Sequence, residues 1–127
     1  MKNSPSSSRW IQWFDPRNRK MGSWAFILNR ITALGLTLYL GMHMIALSNL
    51  ALGPEAYNNF IALAKTPLIK IGEMLVIAAG IIHGLNGIRI GLTSFGIGVR
   101  HQRTLFIGLM TLAMVAISIF GFAMFRH

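Results

Sequence analysis

A chain of 127 residues, 54% of them hydrophobic and with a mean hydropathy of +0.56, has room for one domain and is too apolar for a soluble one of that size. Twelve Lys and Arg against three acidic residues give a formal charge of +9, but this balance does not point to nucleic acid. The basic residues sit mostly outside the apolar runs, where they act as topology signals and as contacts for anionic headgroups or a partner subunit. With no cysteine, the chain carries no disulfide, cysteine-ligated zinc or iron–sulfur cluster of its own.

Residues 1–22 form a basic N-terminal segment, with Trp10, Trp13 and Phe14 ahead of Arg17, Arg19 and Lys20. Aromatic and cationic side chains in this mixture predict a segment lying along the headgroups. The remainder, 23–127, reads as a three-helix membrane domain. A first apolar run, about 24–50, is long enough to cross roughly 30 Å of hydrocarbon at about 1.5 Å per residue. It starts too deep and runs too long for a cleaved secretory signal, so it is taken as a permanent helix. Gly53-Pro54 ends it, and Pro54 is placed to open a short surface helix carrying Tyr57 and Phe60. Pro67 opens a second membrane helix to about 93. Gly96 and Gly98 then turn the chain through a basic loop into a third helix over about 104–125. Arginines and lysines cluster at the N-terminal end of helix one, the C-terminal end of helix two and the loop after it, which predicts a cytoplasmic amino terminus. The fold class is therefore all-α, an integral membrane protein of three transmembrane helices.

Polar residues inside such helices cost free energy and ask for partners. His83 lies in Ile82-His83-Gly84-Leu85-Asn86-Gly87-Ile88-Arg89, about 9 Å inside Arg89 along a helix. A neutral imidazole there can ligate haem iron or serve as a hydrogen-bonded packing group. At about 100° per residue, Gly80, Gly84, Gly87 and Gly91 form a strip beside it, wide enough for a flat macrocycle or a neighbouring backbone. His43 lies about 20 Å beyond Arg30 on helix one. Its different depth from His83 keeps the two from being trans ligands of one iron; it is either structural or a ligand of a second haem. Arg30, between Asn29 and Thr32, can donate to a quinone oxygen or a haem propionate, or snorkel to phosphate. Arg89 has the same alternatives. Glu73 is expected to pair with Lys70 or Lys65, and His101 and His127, in or next to loops, are given no role.

These residues also form a pattern. Asn29-Arg30-Ile31-Thr32-Ala33-Leu34-Gly35 through His43 resembles the first-helix signature of the succinate dehydrogenase cytochrome b subunit family, and His83 to Arg89 resembles its second-helix signature. Leu52-Gly53-Pro54-Glu55-Ala56-Tyr57-Asn58 is similar to the connecting segment of the family's bacterial branch. Together the motifs run from about Trp24 to Gly96. The resemblance implies a membrane anchor of succinate dehydrogenase or fumarate reductase in the bacterial inner membrane. It would pack against a second anchor subunit beneath a flavoprotein with FAD and an iron–sulfur protein, and the chain would have no independent catalytic activity.

On the same resemblance His83 is the axial ligand of haem b, with the other ligand from the second anchor, and Arg30 faces the quinone and the propionates. Gly84 and Gly87 would flank the macrocycle, Arg89 is a further propionate candidate, and His43 would serve a second haem. Three positions depart from the family pattern. Asn29 stands where the family has histidine, Phe26 where some members have serine, and Ser94 where relatives often carry an acid. The competing reading is a structural tether subunit without haem, its histidines bonded to neighbouring helices.

Overall fold

A computed structural model describes residues 21–127, all helix and short connections. Helix α1 spans Met21–Ser48, α2 Pro54–Ala64, α3 Pro67–Ser94 and α4 Gln102–Arg126, and single 3-10 turns cover Asn49–Leu52 and Val99–His101. Among the described residues α1, α3 and α4, with their flanking turns, are long and apolar enough to cross a membrane. This is the three-span architecture expected from hydropathy. The N-terminal segment falls outside the described residues except for its last two, Met21 and Gly22, which are already the first turn of α1.

Local chemistry accounts for where each helix stops. At the end of α1, Ser48 Oγ donates to the Ile45 carbonyl at 2.6 Å and Asn49 Nδ2 to that of Ala46 at 2.9 Å, satisfying acceptors the helix itself leaves open. Gly53, at φ 99°, reverses the chain, and Pro54 starts α2 with its φ already helical. Pro67 does the same for α3. At the other end of α3 the Ile97 N–H donates back to the Leu92 carbonyl at 2.9 Å across Gly96, whose φ of 81° suits a residue without Cβ.

Helix α3 lies in the middle, packed on α1 along one side and on α4 along the other, while α1 and α4 barely meet. A row of three helices cannot enclose a core of its own. In the most apolar window of α3 none of the residues is buried within the chain, so its surface is covered by lipid or by other subunits. The buried residues concentrate toward one end: Ala25, Ile27 and Thr32 on α1 and Asn86 on α3, with Ala113 midway along α4. This is the end where α1 begins and α3 finishes.

Candidate functional site

The tight end of the bundle is held by polar contacts between α1 and α3. Asn86, 0% exposed, donates from Nδ2 to the Ala25 carbonyl at 3.1 Å and accepts from Arg89 Nε at 2.9 Å through its Oδ1. One side chain thus ties the two helices together and aims the arginine. Three residues earlier on the same side of α3, His83 Nδ1 lies 3.2 Å from the Asn29 carbonyl and 3.1 Å from Thr32 Oγ1. Thr32 Oγ1 in turn lies within donating distance of the Leu28 carbonyl, 2.8 Å, and of the Asn29 carbonyl, 3.0 Å.

The Thr32 hydroxyl can donate or accept at Nδ1, but the Asn29 carbonyl favours one tautomer. A carbonyl oxygen only accepts, so the Asn29 contact is a hydrogen bond only when His83 Nδ1 carries the proton. A neutral ring then keeps the lone pair on Nε2. Among the described residues nothing bonds Nε2. A backbone carbonyl that accepts from one ring nitrogen leaves the other nitrogen able to act as a ligand, an arrangement common in metal-binding histidines.

Beside His83 the glycine strip is open. A Cβ built at Gly84, Gly87 or Gly91 would meet nothing within 4 Å, whereas one at Gly80 would reach Leu36 Cδ2 at 4.0 Å. From Gly84 to Gly91 the strip therefore lies on an open face of α3, and its Gly80 end nears α1.

Arg89 stands elsewhere. At about 100° per residue it is roughly 140° around α3 from Gly84 and 160° from Gly87, and its guanidinium lies 5.7 Å from the centre of the Phe106 ring on α4. It borders a cavity of about 260 Å³ among the starts of α1 and α4 and the end of α3. Arg30 is exposed on α1, its guanidinium 4.3 Å over the ring of Phe26. The Phe26 ring is thus a stacking surface for the arginine four residues on. The Asn29 side chain, where the family has histidine, keeps its Oδ1 buried with no hydrogen-bond partner among the described residues.

His43 is remote from this cluster. It lies eleven residues past Thr32, roughly 16 Å further along α1 at about 1.5 Å per residue. Its ring is exposed, stacks on Tyr39 with centroids 5.3 Å apart, and has Nδ1 3.3 Å from the Tyr39 hydroxyl. The structure brings His83 and Thr32 together, places Arg89 on another face, and leaves His43 to its own helix. Glu73 forms no ion pair with Lys70 or Lys65, as no acid–base pair lies within bonding range among the described residues; near a helix end each long side chain can be solvated separately.

Sequence reasoning quoted Asn86 and Thr32 as parts of motifs without giving either a task. The available signal was position: Asn86 is three residues from both His83 and Arg89, a polar side chain facing one way in an apolar helix. Among the described residues there is no group of three or more His, Cys, Asp or Glu that could hold a bare metal ion.

Comparison with known proteins agrees with the architecture. Residues 3–124 match the family described as succinate dehydrogenase/fumarate reductase transmembrane subunit. The chain is 33% identical over 113 residues to the succinate dehydrogenase 2 membrane subunit SdhC of Mycobacterium tuberculosis, covering 83% of each chain. It is also 29% identical over 97 residues to the succinate dehydrogenase hydrophobic membrane anchor subunit of Halobacterium salinarum, covering 76% of this chain and 75% of the relative. With its three membrane-length helices and a family match over nearly its whole length, this chain belongs to the transmembrane subunits of succinate dehydrogenase and fumarate reductase.

Proposed function

We propose that this chain is the cytochrome b type anchor of a succinate:quinone oxidoreductase, holding haem b through His83 Nε2 and forming one wall of a quinone site near the inner surface. The observation that carries this reading is the Nδ1 contact of His83 with the Asn29 carbonyl at 3.2 Å, which leaves Nε2 as the lone-pair nitrogen. The residues fit the group in two further respects. The groove at Gly84 and Gly87 has space for a flat ring system. A neutral imidazole placed among apolar helices is also a ligand that needs no deprotonation.

Bound there, haem supplies one-electron storage beside a two-electron quinone reaction. The chain's own residues do the holding. Thr32 and the Asn29 carbonyl fix the plane and tautomer of His83. Arg30, stacked on Phe26, is the cation that would polarise a quinone oxygen or neutralise a propionate. Arg89 faces α4 and is not given a propionate here. The buried Asn29 Oδ1 asks for a donor from outside the described chain, such as water or a quinol hydroxyl.

Chemistry on succinate belongs, in this reading, to a flavoprotein and an iron–sulfur partner, and a second anchor subunit would cover the open face of α3 and help to hold the haem. The amino terminus is cytoplasmic and the membrane is the bacterial inner membrane. Reduced-minus-oxidised spectra of the purified complex, at equal subunit content, test the assignment. His83→Ala should abolish the b-type absorbance while the subunits remain assembled. An assembled parent complex without haem would leave the structural tether, in which Thr32 and Asn29 simply satisfy a packing histidine.

A further inference from the structure

The cavity beside Arg89 lies outside the site just described and mixes two kinds of wall. Met21, Gly22 and Ala25 of α1 and Phe106 of α4 supply its apolar lining, and Arg89, Gln102 and Arg103 its polar lining. Arg89 is held in place by Asn86 and Phe106, with its Nε committed to the Asn86 carbonyl oxygen at 2.9 Å. That bond, to the side-chain Oδ1 of Asn86, leaves the far edge of the guanidinium, with its terminal nitrogens, available to a further acceptor. Of the three acids in the chain, Glu55 lies in the first turn of α2 and Glu73 in the second turn of α3, toward the opposite end of the bundle, and Asp15 lies outside the described residues. Among the described residues no carboxylate is near enough to neutralise the two arginines.

Depth narrows the ligand. Arg89 is five residues before the end of α3, about 8 Å along the helix axis, which is the level where acyl chains meet headgroups. The loop that follows α3 presents Phe95, 85% exposed, and Ile97, 57% exposed, side chains suited to the upper part of the hydrocarbon. A phosphate with acyl chains attached matches both walls, whereas a soluble carboxylate would match only the arginines.

From this juxtaposition we infer that the cavity is a binding site for the phosphate headgroup of an anionic phospholipid of the leaflet at the α1 amino-terminal end, clamped by Arg89 and Arg103 with Gln102 donating. The inference does not depend on haem or quinone binding by this chain. It would make one lipid a structural part of the α1–α3–α4 junction.

The test uses the purified complex, delipidated and returned to nanodiscs of phosphatidylcholine alone or of phosphatidylcholine with phosphatidylglycerol. Native mass spectrometry reads retained phospholipid, and thermal unfolding reads stabilisation. Phosphatidylglycerol should be retained and should raise the unfolding midpoint of the parent complex. Arg89→Gln and Arg103→Gln should each weaken retention about fivefold, in keeping with the usual contribution of one cation near an anionic surface. Arg100→Gln, in the same loop but not lining the cavity, should leave retention unchanged. Because Arg89 also bonds Asn86, Arg103→Gln alone is decisive where the Arg89 variant fails to assemble.

Inorganic phosphate given to the complex in phosphatidylcholine distinguishes the source. No stabilisation by phosphate supports a lipid, and full reproduction of the shift would overturn it in favour of a free anion. Equal retention by parent and Arg103→Gln, or no preference of the parent for phosphatidylglycerol, overturns the site. Loss of a soluble subunit from Arg103→Gln with lipid retention unchanged also overturns it and assigns the cavity to a protein carboxylate.

Discussion

The two membrane histidines of this chain sit in helices of similar composition yet are held in different ways. His83 is placed by another helix: its Nδ1 meets a backbone carbonyl and a hydroxyl of α1, 54 and 51 residues away in sequence. His43 is placed by its own helix, through the hydroxyl and ring of Tyr39 four residues earlier. A contact at that spacing forms in any helix that carries the pair and says nothing about a neighbour. The surroundings differ accordingly. Near Asn29 the α1 surface includes the buried Ala25, Ile27 and Thr32, whereas around His43 the residues Leu40, Met42, Met44 and Ile45 are all exposed. Contacts between helices thus order one end of the bundle, and the other end presents a surface open to lipid or protein.

The largest effect expected from this comparison is on cofactor content. His43→Ala should retain the full b-type absorbance of the assembled complex, in contrast to His83→Ala. Parallel loss in both variants would mean that a second haem is bound at the outer level and that Tyr39 orients its ligand. Next comes Asn86→Leu, which leaves the Ala25 carbonyl and Arg89 Nε without their shared partner in a buried setting. It should destabilise the complex by about 2 kcal/mol in thermal unfolding. A neutral result there would break the claim that polar contacts hold this end together.

Thr32→Val removes one of the two groups at His83 Nδ1 and leaves the Asn29 carbonyl in place. The expected cost is about 1 kcal/mol in stability, with haem retained and its midpoint potential moved. Loss of haem in this variant would show that the hydroxyl, and not the carbonyl, sets the ring. The smallest effect is expected at the loose end, from Gly121→Ala. The new Cβ would approach Met74 Cε at 3.0 Å, but a terminal methyl on a flexible side chain gives way easily, and alanine favours the helix. The net change should stay within about 0.5 kcal/mol in the same unfolding assay.

Much of the fold could be read in advance because lipid imposes a simple rule: a spanning segment must satisfy its backbone internally, so length and apolarity announce a helix. Pro54, Pro67, Gly53 and Gly96 marked the breaks through their own backbone preferences. The ends were less legible. Helix α1 begins at Met21, three residues before the apolar run, and its regular part stops at Ser48, since bonds from Ser48 and Asn49 side chains, not hydropathy, end it. The candidate site was legible in its residue types but not in its partners. Arg89 and His83 share a short motif, yet helix rotation sends the arginine toward Phe106 and away from the glycine groove.

The sequence by itself determined that this chain spans a membrane three times, that its basic residues gather at one end, and that His83 and His43 lie at different depths. These follow from composition and from the fixed rise of a helix, which are properties of single segments. Only the tertiary structure decided which carbonyl meets His83, that Asn86 joins α1 to Arg89, that the glycine groove stays open, and that Arg89 and Arg103 border one cavity. Those facts depend on the rotation and stagger of α1, α3 and α4 against one another. In helices apolar on all sides, hydrophobic periodicity leaves that rotation unspecified, and a few buried hydrogen bonds select it.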